Sequence, residues 1–203
     1  MLHTSFEEAY RSGKVCLHPT DSLPGLTFDP ALEGGFSCLK GIKGPRIGKS
    51  FVSLAASYEK ALSFWQPLPG PWPGLLSKVW PGPLSVIWLA SEKVCPTLVA
   101  PDGSLCLRVP SLSQKVSFFH DFLLASEQPV PSTSVNKEGM PSATSWKEAV
   151  SFLEGTGAYV PPIDDAPSLA APSTVIKIAS DGGYTVIREG AIKREALEAY
   201  FDF

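Results

Sequence analysis

Twenty prolines are spread over 203 residues, roughly double the usual share. Each one removes a backbone donor and disfavours helix in the residue before it. The prolines are spread along the chain and alternate with apolar runs such as "LSVIWLA" and "STVIKI". This pattern describes rigid loops between short packed elements, not a disordered segment. With 44% hydrophobic residues the chain can bury a sizeable core, and its length fits one compact domain over residues 1–203.

Helix and strand signals alternate along it. Ser5 and Glu8 form a capping box and Gly13 a stop, which predicts a short helix over 5–12. "KVCLH" (14–18) reads as a strand ending at the turn-rich "PTDSLPG", and "ALEGGFSCLKGIKG" reads as a helix despite its glycines. "FVSLAAS" (51–57) predicts a strand and "YEKALSFW" (58–65) a helix. A proline-rich connection carrying Trp65, Trp72 and Trp80 leads to the strand "LSVIWLA" (84–90). "LCLRVP" (105–110) is a strand interrupted by Arg108. Val116, Phe119 and Leu123 then recur at helical spacing. "PVPSTS" is extended, and Ser145 with Glu148 caps a helix that Gly155 ends. "STVIKI" (173–178) and "YTVIRE" (184–189) flank the hairpin signal "ASDGG", and "IKREALEAYF" is an amphipathic helix. The alternation implies a layered α/β fold with a mixed sheet.

The net charge of -3 argues against holding nucleic acid by phosphate neutralisation alone. "MLHTSFEEAY" lacks the basic and apolar regions of a signal peptide, and no apolar run approaches the roughly 18 residues of a membrane span. A cytoplasmic protein with no membrane partner is expected. Cys16, Cys38, Cys95 and Cys106 form no CxxC pair. Buried free thiols are expected, and no protein-bound metal site.

Several stretches carry chemistry. "GPRIGKS" (44–50) is not a P-loop, because only three residues separate Gly44 from Gly48 and a helical pattern precedes it. Lys40, Lys43, Arg46 and Lys49 nevertheless cluster within ten residues, either as a solvated face or as an anion clamp. "HPTDSLPG" sets a carboxylate and two hydroxyls at a strand end, where they either close a turn or face a ligand crevice. Arg108 in its apolar strand needs an anionic partner, either structural or a ligand carboxylate. Arg188 raises the same question, with Glu189 beside it. "VPSTSVNKEGMPSATSW" (130–146) carries six hydroxyls and one Asn. Ser145 is explained as a helix cap, while Ser132, Thr133, Ser134, Asn136 and Ser142 require partners. The three histidines are scattered and lack a nucleophile-elbow context, so a hydrolase triad has little support.

Together and in this order, "PTDSLPGL", "IKGPRIGKSF", "WPGPLSVIW", "LRVP", "STSVNKEGMPSATS", "PSTVIKI" and "VIREGAI" resemble the YrdC-type threonylcarbamoyladenylate synthases over roughly residues 5–195. The resemblance implies a single twisted mixed parallel and antiparallel sheet with flanking helices and a concave ligand-binding face. It implies synthesis of threonylcarbamoyl-AMP and pyrophosphate from ATP, L-threonine and bicarbonate, for threonylcarbamoyladenosine in tRNA. A downstream tRNA threonylcarbamoyl transferase would be the partner, and Mg2+ would arrive on ATP. By the same resemblance Lys43, Arg46 and Lys49 act electrostatically on the triphosphate. Lys43, Lys49, Ser85, Ser134, Asn136, Ser142 and Arg188 would bind ATP. Thr20, Arg108, Thr133 and Ser173 would bind threonine. No catalytic nucleophile is implied, since positioning and charge neutralisation suffice.

The sequence departs from the family pattern at Pro24, where an aromatic is usual, at "GPR", which inverts the usual Arg-Pro order, and at Val135, Lys137 and Glu138 around the S-x-N pair. These departures motivate a second reading, a paralogue that binds nucleotide or RNA without making the adenylate. A carbamoyl-transfer role like that of the same domain inside hydrogenase-maturation proteins lacks its zinc-finger and acylphosphatase-like segments here. A weak tRNA contact would fall on Lys40–Lys49.

Overall fold

The computed structural model describes residues 5–45 and 51–201. Among these residues eight strands form one open sheet: β1 (Cys16–His18), β2 (Gly25–Thr27), β3 (Val52–Leu54), β4 (Leu84–Leu89), β5 (Ser104–Arg108), β6 (Val130–Ser134), β7 (Thr174–Ile178) and β8 (Tyr184–Arg188). Their spatial order is β1-β2-β6-β3-β5-β4-β7-β8. The β3/β5 and β4/β7 pairs are parallel and the other five antiparallel, so the sheet is mixed, as expected. Among the described residues seven α-helices flank it: α1 (Phe6–Arg11), α2 (Glu33–Lys43), α3 (Tyr58–Ser63), α4 (Trp72–Val79), α5 (Ser117–Ala125), α6 (Trp146–Leu153) and α7 (Arg194–Tyr200).

Local chemistry sets these boundaries. The Ser5/Glu8 capping box opens α1 in both directions, Ser5 Oγ accepting from the Glu8 amide and Glu8 Oε2 from the Ser5 amide. Ser145 accepts from the Glu148 amide to open α6. Two elements depart from the sequence reading. The stretch read as a proline-rich connection contains α4, because Pro71 and Pro73 fall at its start, where the missing donors have no intrahelical partner anyway. The strand β2 follows the turn "PTDSLPG" and is too short to show a period.

Strand alternation sorts the core. On β5, Leu105 and Leu107 join one apolar cluster built around Trp65, Trp72, Trp80, Leu84, Val86 and Ile176. Arg108 therefore points to the opposite face, as does Ser85 between Leu84 and Val86. At the β1 end both faces are covered. Leu17 and Leu26 pack with α2 and α6 residues Leu39, Ile42 and Trp146. Cys16, Leu54 and Val130 pack on the other side with Phe6, Phe119 and Phe122. The face left open by α3, α4 and α7 thus carries the polar side chains.

The thiols differ from expectation: Cys16 is buried, Cys38 exposed, and Cys95 and Cys106 half-buried, all four free. Cys38 sits on the outer side of α2, away from Leu39 and Ile42. Among the described residues no helix is long and apolar enough to cross a membrane.

Candidate functional site

A cavity of about 210 Å³ opens on the polar face where β2, β3 and β6 meet the ends of β5 and β8. Its walls include Thr20, Ser22, Arg108, Ser132, Thr133, Ser134, Ser142, Ser173 and Arg188. It is smaller than the roughly 300–1,000 Å³ of sites for drug-sized ligands. A small polar molecule fits inside, and anything larger must extend past the rim.

Seven residues expected from the sequence line this cavity: Thr20, Arg108, Thr133, Ser134, Ser142, Ser173 and Arg188. Ser85 stands one layer behind, fully buried, its Oγ 2.8 Å from Ser173 Oγ. Arg46 and Lys49 lie outside the described residues.

Arg108 is 3% exposed. Its Nε donates to the Gly82 carbonyl at 3.1 Å, Nη1 to Ser22 Oγ, and Nη2 forms an ion pair with Asp21. Of the five guanidinium hydrogens two remain for a ligand. Burial lowers the pKa of Arg108 and Asp21 opposes that fall, while burial raises Asp21 in spite of Arg108. Both charges are thus held against a desolvation cost, which makes the pair a poor stabilising device and a well-placed polar anchor. Arg188 lies close enough to push Arg108 down further. Arg188 donates through Nε and Nη2 to the Ser173 carbonyl and through Nη2 to Ser173 Oγ. Its Nη1 has no partner among the described residues.

Lys43 and Asn136 are placed differently from the cavity-lining set. Lys43 is 5% exposed, and its ammonium donates to the Ser134 carbonyl, to the Asn136 carbonyl at 3.2 Å and to Asn136 Oδ1 at 2.7 Å. The Lys43 carbonyl also accepts from the Glu138 amide. Lys43, at the end of α2, thus ties down the loop after β6. All three of its protons are spent on that loop. Burial, partly offset by Glu138, lowers its pKa to about 8.

The six hydroxyls of "VPSTSVNKEGMPSATSW" divide accordingly. Ser145 caps α6, and Thr144 Oγ1 donates to Glu148. Ser134 Oγ donates to Asn136 Oδ1 at 2.6 Å, and Ser132 Oγ lies 3.0 Å from His18 Nε2. Ser132, Thr133, Ser134 and Ser142 line the cavity.

Sequence reasoning left Ser132 without a role and gave no partner to Asp21, Ser22 or His18. Asp21 and Ser22 were visible as polar residues at a strand end, but their pairing with Arg108 spans more than eighty residues. The sequence carries no signal for the His18–Ser132 contact.

The family model for the Sua5, YciO and YrdC proteins, described as "Telomere recombination", matches residues 8–190. A curated relative, the threonylcarbamoyl-AMP synthase of Pseudoalteromonas atlantica, is 26% identical over 155 residues, covering 71% of this chain and 76% of its own. The structure of P. abyssi Sua5 complexed with L-threonine superposes with a TM-score of 0.78 at 25% identity, over 95% of this chain and 55% of that one. This chain therefore spans little more than half of that Sua5. E. coli YciO gives a TM-score of 0.76 at 22% identity, over 93% of this chain and 89% of its own, a likeness of fold.

Proposed function

Because this chain belongs to the Sua5, YciO and YrdC family, we propose that it is a threonylcarbamoyl-AMP synthase. It would take ATP, L-threonine and bicarbonate and release pyrophosphate, with the adenylate passing to a tRNA threonylcarbamoyl transferase. The observation that carries this reading is the character of the cavity: two guanidiniums and a set of hydroxyls around about 210 Å³. That combination complements a zwitterion, with the carboxylate toward the arginines and the amine among oxygens. The relative solved with L-threonine points the same way.

In this scheme Arg108 holds the threonine carboxylate with its two spare hydrogens, and Thr20, Thr133 and Ser173 complete the pocket. The threonine ammonium loses a proton to solvent, and the free amine adds to the bicarbonate carbon with loss of water to give a carbamate, one oxygen of which attacks the α-phosphorus of ATP as pyrophosphate leaves. The nucleotide lies across the rim, where Ser134, Ser142 and the open Nη1 of Arg188 face it. Ser85 acts through Ser173, and Lys43 acts by fixing the Ser134–Asn136 loop. Arg46 and Lys49 would meet the outer phosphates, and Mg2+ enters with ATP as part of the substrate. Catalysis is positioning plus neutralisation of phosphate charge.

The second reading, a binding paralogue without turnover, draws on the engagement of the Lys43 ammonium by three loop oxygens. Pyrophosphate release separates the two. The synthase requires release that depends on both L-threonine and bicarbonate and falls at least tenfold in Arg188→Ala, whose lost charge-assisted contact weakens ATP. ATP binding without release would favour the paralogue.

A further inference from the structure

Behind the cavity wall lies a histidine that the proposed chemistry does not use. His18 is fully buried, its ring stacked on Phe119 with centroids 4.6 Å apart and planes at 14°. Its Nδ1 is 3.2 Å from the Pro19 carbonyl oxygen and its Nε2 is 3.0 Å from Ser132 Oγ. A carbonyl can only accept, so the ring hydrogen resides on Nδ1. Burial keeps the ring neutral, with a pKa lowered to about 4. Nε2 is then a bare lone pair, and Ser132 must give its one hydrogen to it. Ser132 Oγ can offer the cavity only acceptor lone pairs.

The packing around this contact leaves no slack. A Cβ at Gly25 would stand 2.5 Å from His18 Nε2 and 2.8 Å from Ser132 Oγ, so the pair closes over a position that only glycine fits. The neighbouring hydroxyls are engaged differently. Thr20 Oγ1 donates to the Leu23 carbonyl at 2.7 Å and accepts from the Ser22 amide at 3.1 Å, so it is spent within its own turn. Ser134 Oγ donates to Asn136 Oδ1 on the side toward the nucleotide. Ser132 thus faces the amino-acid part of the cavity with its hydrogen committed and its lone pairs open.

We propose that this acceptor-only hydroxyl of Ser132, as part of the cavity wall, seats the amino nitrogen of the substrate amino acid, and that His18 is the positioning residue that sets its polarity. The inference rests on the amino-acid reading of the cavity given above. A hydroxyl free to rotate accommodates donors and acceptors alike. One whose hydrogen is held by His18 attracts an ammonium and turns a carboxylate or phosphate away, toward Arg108 and Arg188. The wall therefore orients the zwitterion as well as binding it.

Two measurements test this. The first needs no ligand: the 15N spectrum of the histidine-labelled protein should show His18 with Nδ1 protonated and Nε2 bare from pH 6 to 8, and a protonated Nε2 overturns the proposal. The second is calorimetry with L-threonine and with its 2-hydroxy acid analogue. The unaltered protein should prefer threonine, and Ser132→Ala should lose about tenfold or more in threonine affinity, as expected for a bond to a charged group, with little change for the analogue. His18→Phe should behave like Ser132→Ala in affinity, while His18→Gln, which keeps an acceptor, should restore part of it. ATP affinity should stay constant throughout. Threonine binding indifferent to Ser132→Ala overturns the role of the wall. Absence of threonine binding by the unaltered protein strikes instead at the synthase reading and takes the amine assignment with it.

Discussion

Replacing Lys43 with methionine keeps the buried stem and removes only the ammonium. That ammonium makes three hydrogen bonds, to two carbonyls and one amide oxygen of the loop after β6. Bonds to a charged group contribute about 1.5–3 kcal/mol each, so the gross loss is about 5–9 kcal/mol. Against it stands the cost of burying the charge. The fall from lysine's ordinary 10.5 to about 8, caused mainly by burial, corresponds to about 3 kcal/mol. The loop is half-buried and water can replace some of the vacated bonds, which places the net destabilisation at about 2–4 kcal/mol near pH 7. Urea unfolding measures it, and hydrogen exchange should show faster amides at Glu138, Met140 and Ala143, whose bonds hold this loop closed. The pH dependence has a definite sign. Between about 8 and 10.5 the unfolded chain binds this proton more readily than the folded one, so stability from Lys43 rises with pH there. The deficit of Lys43→Met should widen correspondingly over that window. A variant with the unaltered midpoint and unaltered loop exchange would refute the anchoring role and return Lys43 to the set of free phosphate-binding cations.

Gly25→Ala should lower stability by about 1–3 kcal/mol, because its Cβ would press on His18 and Ser132; a thermal melt checks this, and an unchanged melting temperature would contradict the tight closure described. Acid should weaken the fold through His18. Its folded pKa lies near 4 and its unfolded value near 6.5, so the unfolded state binds more protons between these values and stability falls as pH drops through them. The full loss is about 3 kcal/mol, and His18→Phe should abolish this slope in urea unfolding followed from pH 7 to 4.

The elements were legible where a cap or a period marked them. Ser5 with Glu8, Ser145 with Glu148, and the "ASDGG" hairpin each stand where their spacing implied. The helix at Trp72 was hidden because prolines signal both a loop and a helix start, and only the tertiary contacts of Trp72 and Leu76 decide between them. At the site, the hydroxyls and arginines announced themselves as polar residues on apolar strands. What they touch was not legible, because Arg108 meets Asp21, Lys43 meets Asn136 and His18 meets Ser132 across gaps of about ninety to more than a hundred residues. Strand order creates those neighbours, and local pattern does not encode it.

The proposed reaction carries carbon from bicarbonate into an adenylate of threonine. The purified protein should therefore be given ATP, L-threonine and 13C-bicarbonate, and the nucleotide product examined by mass spectrometry. A 13C-bearing threonylcarbamoyl-AMP is the expected product. An adenylate lacking the label, or no adenylate from folded protein that binds ATP and threonine, would contradict the synthase and leave a binding protein in its place.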